Sequence, residues 1–181
     1  VKVVDCVRDA KSAVRWVRQN AKRLGIDPKR IAAGGGSAGG HLAAATATLP
    51  EFEEPSENIK ISSRPNALVL FKPALVLTLS GAALPITRTG VEAKRISPDE
   101  HIRKGTPPTI IFHGKADTTV PYATVELFTR KMQAAGNRCE LVGFEGQTHG
   151  FFNYGRGENK MYEKTTAEMI RFLASLGYLN G

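Results

Sequence analysis

The sequence is poor in features that would place it in several large classes of protein. No apolar run approaches the roughly 18 residues that a membrane-spanning helix needs, so we expect no contact with a membrane. No secretory leader is recognisable, but the chain begins with Val1 rather than Met, so its cellular location stays open. Cysteine is also scarce. Cys6 and Cys139 lie far apart in apolar-patterned segments, which favours buried free thiols over a disulfide or a metal site.

The chain also lacks the patterns of nucleotide and nucleic-acid binding. There is no G-x-x-x-x-G-K-[ST] phosphate loop, and no dinucleotide-type glycine motif is followed about 20 residues later by an acidic residue at a strand end. The net charge of +8 would suit an anionic partner. However, the basic residues, Lys11 and Arg15 among them, are scattered, and no zinc-ligand or aromatic RNA-binding pattern accompanies them. We therefore expect a solvated basic face and no nucleic-acid partner.

Apolar periodicity divides the 181 residues into alternating helices and strands. This alternation predicts an α/β domain over residues 1–181, with a mostly parallel sheet and helices on both of its faces. Residues 72–105 are the least regular part, and we expect them to line or cap a pocket. The predicted helices are 3–24, 38–49, one through Val125, Phe128 and Met132, and 161–176; the predicted strands are 31–34, 67–71, 109–112 and 139–144, with a polar surface loop at 50–65.

One glycine-rich stretch stands at a predicted junction between strand and helix. Residues 35–39 read Gly-Gly-Ser-Ala-Gly and fit G-x-S-x-G, the nucleophile elbow that exposes a serine in a strained turn. Side chains at Gly35 and Gly39 would crowd the strand and helix that cross here. The helix that follows adds partial positive charge beside Ser37, which would favour a developing oxyanion.

Two further reactive residues follow later predicted strands. Asp117 lies in the loop after the strand at 109–112, and His149 lies in the loop after the strand at 139–144. Serine, acid and histidine in this order are typical of the α/β-hydrolase triad. The chemistry needs these types, because a serine hydroxyl is a weak nucleophile until an imidazole accepts its proton and a carboxylate orients that imidazole.

Other titratable residues have simpler interpretations. Glu145 is the reserve candidate for the acid, since it shares the loop that carries His149. His41 and His113 are interpreted as structural residues, and His101 is assigned no role.

With these motifs in place, the chain resembles an α/β-hydrolase esterase of the acetyl-esterase and hormone-sensitive-lipase-like group. The resemblance implies Ser37 as nucleophile, Asp117 as acid, His149 as base and the Ala38 backbone N–H as an oxyanion donor. It implies a small-molecule ester as substrate, with acetylated carbohydrates among the candidates, and no metal or organic cofactor. The segments that carry it, from near residue 13 to 176, are Gly25-Ile26-Asp27-Pro28-Lys29-Arg30-Ile31, Gly34-Gly35-Gly36-Ser37-Ala38-Gly39-Gly40-His41, His113-Gly114-Lys115-Ala116-Asp117 and His149-Gly150-Phe151-Phe152.

The sequence departs from this family in one respect. A His-Gly-Gly loop, which supplies further oxyanion donors in the family, is absent before Ser37. The resemblance therefore implies that the first strands of the sheet are missing, which leaves the nucleophile strand at an edge. Because such an edge has unpaired N–H and C=O groups, we expect either a homo-oligomer joined across it or pairing with a separate N-terminal segment.

Two alternatives to a serine carboxylesterase remain open. A prolyl-oligopeptidase-type peptidase has a similar elbow and triad order, although it usually carries a bulky aromatic residue where this chain has Ala38. A catalytically impaired hydrolase fragment or interaction module would keep the triad residues without the activity.

Overall fold

A four-stranded parallel sheet forms the centre of the protein. The computed structural model describes residues 1–79 and 85–179. The strands β1 (Ala32–Gly36), β2 (Ala67–Phe71), β3 (Thr109–Gly114) and β4 (Cys139–Phe144) lie in the order of the chain. The helices are α1 (Val3–Gln19), α2 (Ala21–Leu24), α3 (Ala38–Thr48), α4 (Ile86–Thr89), α5 (Tyr122–Ala134) and α6 (Lys160–Ser175). The predicted α/β class and its parallel sheet are confirmed.

Helices cover both faces of this sheet because side chains alternate along each strand. In β2, Leu68 and Leu70 point into a core shared with α3 and α5. Ala67 and Val69 point the opposite way, into a second core shared with α6 and with Phe112 of β3. This two-sided burial explains why the central strands are continuous apolar runs, which is typical of parallel sheets.

The predicted first helix is divided into two. α1 ends at Gln19, and α2 follows Asn20 and ends at Leu24, where Gly25 caps it with a left-handed backbone at φ 67°. α1 packs on the outer side of α3 through Val7, which is fully buried with Ala45 of α3. Ala10 and Val14 of α1 line an apolar groove of about 430 Å³ between α1, α3 and β1.

The expectation of a solvated basic face is wrong for two of its members. Lys11 and Arg15 on α1 are buried, with 1% and 3% of their surfaces exposed. Both are paired with Glu53 in the 50–65 loop, and Arg15 is also paired with Glu57. The loop is therefore anchored to α1 by charge.

Residues 80–84 of the 72–105 segment lie outside the described part, and the described residues form short helical turns, of which α4 packs against α1 and the turn at Pro98–His101 against α3. Ile96 is buried against α3, and its carbonyl accepts a hydrogen bond from His41 Nε2 at 2.7 Å. The proposed capping or pocket-lining role of this segment stays a prediction.

Candidate active site

The turn between β1 and α3 holds Ser37 in a backbone conformation that L-residues rarely adopt. Ser37 has φ 53° and ψ −116°, and non-glycine residues reach positive φ only at a cost in free energy. Gly35 is required beside it, because a Cβ there would lie 2.6 Å from the backbone of Gly39. The matching expectation for Gly39 is wrong, since a Cβ there would meet nothing within 4 Å. The next residue, Gly40, is crowded instead, because a Cβ there would lie 2.7 Å from the Cβ of Pro73.

Backbone hydrogen bonds fix this turn at the carboxyl end of the sheet. The Ser37 N–H donates to the carbonyl of Phe71, the last residue of β2, at 2.9 Å. The Ser37 carbonyl accepts from the N–H groups of His41 at 3.0 Å and Ala74 at 3.3 Å. Because the backbone of Ser37 is held from both neighbouring segments, the strained conformation is kept by its surroundings.

The structure brings Ser37, Asp117 and His149 together. His149 Nδ1 lies 2.7 Å from Asp117 Oδ2, and His149 Nε2 lies 3.2 Å from Ser37 Oγ. Since the carboxylate can only accept, Nδ1 carries the proton and the Nε2 lone pair faces the serine hydroxyl. This arrangement can move a proton from Ser37 to His149 and hold the resulting imidazolium beside a carboxylate.

Asp117 is a buried carboxylate with several donors around it. Burial opposes its ionisation, but hydrogen bonds from the backbone N–H groups of Val120 and Thr119 and from His149 outweigh burial, so the pKa of Asp117 is lowered. The two backbone donors reach Oδ1, at 3.0 Å from Val120 N and 2.8 Å from Thr119 N. Asp117 is thus held ionised at neutral pH, as a partner of an imidazolium must be.

The remaining titratable candidates lie in different surroundings. Glu145, the reserve acid, pairs with Lys115 on the exposed surface, and its side chain is 83% exposed. His101 approaches the carbonyl of Lys94 at 3.3 Å. His113 is completely buried, and its Nε2 lies 3.3 Å from Asp117 Oδ2. That contact was missed from the sequence, where only the adjacency of His113 to the Asp117 loop could have suggested it.

The start of α3 has backbone N–H groups that could serve as oxyanion donors. Ala38 is the first residue of this helix, where backbone N–H groups have no acceptor within the helix.

β1, which leads to the elbow, pairs with β2 alone among the described strands, so its other edge is open beside the apolar groove. The sequence expectation of an edge nucleophile strand therefore agrees with the sheet order.

Neither a membrane helix nor a metal site is found in the described ranges. Across residues 1–79 and 85–179, no helix is long and apolar enough to cross a membrane. The same residues contain no cluster of three or more histidine, cysteine or acidic side chains able to hold a metal ion.

Known proteins share this fold. Residues 1–83 match the BD-FAE family model and residues 74–176 match the prolyl oligopeptidase family model. The structure of Thermogutta terrifontis esterase 2 phosphoramylated by tabun is 56% identical, with a TM-score of 0.95, and the match covers 100% of this chain and 68% of that chain. The butyrate-bound structure of the same esterase is 54% identical, with a TM-score of 0.93.

Curated relatives are more distant and longer. A probable isoprenylcysteine alpha-carbonyl methylesterase of Arabidopsis thaliana is 28% identical over 169 residues, which cover 81% of this chain and 36% of the relative. An acetylxylan esterase of Xylanibacter ruminicola is 30% identical over 156 residues, which cover 80% of this chain and 31% of the relative. The chain thus spans about a third of the length of these relatives.

The fold and its elbow define an α/β-hydrolase, and the comparisons specify which kind. This chain belongs to the α/β-hydrolase esterases, and its residues 74–176 match the prolyl oligopeptidase family.

Proposed function

We propose that this protein hydrolyses small acyl esters through an acyl-serine intermediate. The observation that carries the proposal is the position of His149, whose two ring nitrogens lie within hydrogen-bond distance of Ser37 and Asp117. The same three residues follow β1, β3 and β4, so they meet at the carboxyl edge of the sheet, where α/β proteins bind ligands.

In the proposed reaction, Ser37 Oγ attacks the ester carbonyl carbon as His149 Nε2 takes its proton. The negative charge that develops on the carbonyl oxygen is stabilised by the Ala38 N–H and by the start of α3. The tetrahedral intermediate collapses when His149 gives the proton to the leaving alcohol, which leaves an acyl group on Ser37. His149 then activates a water that hydrolyses the acyl-serine and restores the free enzyme.

Small acyl groups are the best-supported substrates. Structures of the Thermogutta terrifontis esterase carry propionate or butyrate, and one curated relative is an acetylxylan esterase. These names support acetyl to butyryl esters as the acyl class and acetylated carbohydrates as one class of alcohol.

The test is hydrolysis of p-nitrophenyl acetate and butyrate by the wild type, by Ser37→Ala and by Ser56→Ala. Ser56 is an exposed serine in the 50–65 loop and serves as the matched control. We expect wild-type rates with Ser56→Ala and no enzymatic rate with Ser37→Ala. Equal rates for the wild type and Ser37→Ala in folded protein would disprove the proposal.

A second candidate, peptide-bond hydrolysis, follows from the match of residues 74–176 to the prolyl oligopeptidase family. Ala38 disfavours the peptidase function, since enzymes of that type usually carry a bulky aromatic residue after the nucleophile. Turnover of aminoacyl p-nitroanilides exceeding that of p-nitrophenyl esters would favour the peptidase.

We also propose that a second copy of this chain covers the open edge of β1. Among the described strands β1 pairs with β2 alone, and its open edge lies next to an apolar groove; both features favour strand pairing. Light scattering should then give a dimer or larger assembly that Val14→Asp in the groove dissociates. A stable monodisperse monomer would contradict this proposal, and a stoichiometric complex with a separate polypeptide would identify a different occupant.

A further inference from the structure

His113 lies beside the proposed triad but has no part in the proton transfers described above. It is the fifth residue of β3, in the strand that leads into the Asp117 loop, and its side chain is completely buried. His113 Nε2 lies 2.9 Å from the carbonyl oxygen of Val120 and 3.3 Å from Asp117 Oδ2. Because a carbonyl oxygen can only accept, Nε2 carries the proton and shares it with the carboxylate.

This contact completes the set of donors around Asp117. Oδ1 accepts from the backbone N–H groups of Thr119 and Val120. Oδ2 accepts from His149 Nδ1 on one side and faces the His113 Nε2–H on the other. Val120 closes the arrangement, since its N–H donates to Asp117 and its carbonyl accepts from His113.

We propose that His113 is a positioning residue that fixes the Asp117 carboxylate so that Oδ2 stays directed at His149. This inference rests on the proposed function of the triad. His113 acts through Asp117 and does not touch the substrate, because it has no exposed surface.

Packing alone does not account for a histidine at this position. His113 Nδ1 is buried without a hydrogen-bond partner among the described residues, and an unpaired buried acceptor lowers stability. The edge-on contact with the Tyr122 ring, at a centroid distance of 5.8 Å, would be available to a phenylalanine as well. What phenylalanine lacks is the Nε2–H that faces Asp117 and Val120.

The charge state of His113 suits this role. Burial is the largest influence and lowers the pKa of His113, although Val120 and the charge of Asp117 act in the opposite direction. The charged or titratable groups that face it are Asp117, His149 and Lys72, with the ring of Tyr122 at its edge. A neutral His113 donates a hydrogen bond to the carboxylate without competing as a cation with the imidazolium of His149.

The experiment compares three variants of the full chain. His113→Phe keeps the aromatic volume and removes the donor, His113→Gln places an amide N–H near the position of Nε2, and His113→Leu removes both ring and donor. We measure kcat and KM for p-nitrophenyl butyrate, with the melting temperature of each variant as the check on folding.

We expect His113→Phe to lower kcat about 10-fold to 100-fold, by analogy with the loss on removing the hydrogen-bond partners that orient metal-ligating histidines and carboxylates. KM should stay within about two-fold, because His113 does not reach the substrate. His113→Gln should recover most of the lost kcat, and His113→Leu should resemble His113→Phe in kcat even if it melts earlier.

A double-mutant cycle with Asp117→Asn separates positioning from general structural support. If His113 acts through the carboxylate, His113→Phe should have little further effect on kcat once that carboxylate is gone. The inference is overturned if His113→Phe keeps kcat within two-fold of the wild type, or if it costs the same factor in the Asp117→Asn background. The proposed function fails on a different result, which is equal rates of ester hydrolysis for the wild type and Ser37→Ala.

Discussion

Two groups of buried polar side chains lie at opposite ends of α3 and have different roles. One is the cluster of Lys11 and Arg15 on α1 with Glu53 and Glu57 of the 50–65 loop, here called the α1 ion cluster. The other is the group around Asp117 at the carboxyl edge of the sheet. Both take polar groups out of water, which is costly unless each is paired.

The α1 ion cluster is paired throughout. Lys11 Nζ donates to the carbonyls of Leu49 at 2.7 Å and Glu51 at 2.6 Å and to Glu53 Oε1 at 2.8 Å. Burial lowers the pKa of Lys11 even though Glu53 favours its charged form. Because all three ammonium protons of Lys11 are donated and Glu53 is in contact with it, this cluster holds the loop in place and has no proton left to transfer.

The group around Asp117 is built differently. It has one buried carboxylate, two imidazoles and a serine hydroxyl, and His149 is 22% exposed at its side chain. One proton can still move, from Ser37 to His149, and the carboxylate is already placed for the charge that results. Complete pairing of opposite charges fixes structure, whereas a carboxylate that faces imidazoles and backbone N–H groups leaves room for chemistry.

The largest effect on kcat is expected from replacing the carboxylate of Asp117. Asp117→Asn should lower kcat about 10⁴-fold, because an amide cannot stabilise the imidazolium and favours the wrong tautomer of His149; this magnitude is that of the equivalent change in serine proteases. Ester hydrolysis under saturating substrate measures it, with exposed Asp9→Asn as the control. A loss of less than 10-fold would contradict the assigned role.

A substitution in the α1 ion cluster should lower the free energy of unfolding and leave kcat unchanged. Glu53→Gln leaves Lys11 and Arg15 without their shared carboxylate, and we expect a loss of about 2–3 kcal/mol. This lies below the range for fully buried pairs because the Glu53 side chain is 31% exposed. Urea unfolding measures it, with exposed Glu126→Gln as the control, while kcat per folded molecule should stay unchanged.

The same cluster should make the wild type sensitive to acid. Burial opposes ionisation of Glu53, but hydrogen bonds from Lys11, Arg15 and Ser63 outweigh it, so its pKa is lowered from an ordinary value of 4.5. The stabilisation is complete above about pH 4.5 and is lost as the pH falls through the lowered value. The stability gap between the wild type and Glu53→Gln should therefore narrow from pH 6 to pH 3, and a constant gap would contradict this.

The smallest effect concerns a buried group outside both clusters. Burial raises the pKa of the Cys139 thiol to about 12, so almost no reactive thiolate forms at pH 8. Iodoacetamide should alkylate Cys139 in the folded protein at least about 100-fold more slowly than in urea. Cys6, which is only partly buried and so departs from the expectation of two buried thiols, provides the internal comparison. Equal labelling rates for Cys139 in the folded and unfolded chain would contradict its placement.

The sequence predicted the strands and the triad positions well because both depend on local patterns. The strand at 67–71 agrees with β2 in both bounds, and Ser37, Asp117 and His149 all follow strands as expected. The pairing of Lys11 and Arg15 with acids some 40 residues away could not be predicted, since no local rule links a helix to a distant loop. The contact of His113 with Asp117 was missed for a related reason, because an apolar strand context suggests packing only.

The central claim is that Ser37 is an activated nucleophile, and covalent labelling tests it most directly. The folded chain is treated with paraoxon, which phosphorylates the Thermogutta terrifontis esterase, and the adduct is located by peptide mass spectrometry. We predict one diethylphosphoryl group per chain, on Ser37, with no labelling of Ser37→Ala and much slower labelling of Asp117→Asn. A folded wild-type chain that stays unmodified, or that is modified elsewhere at the same rate, would contradict the account.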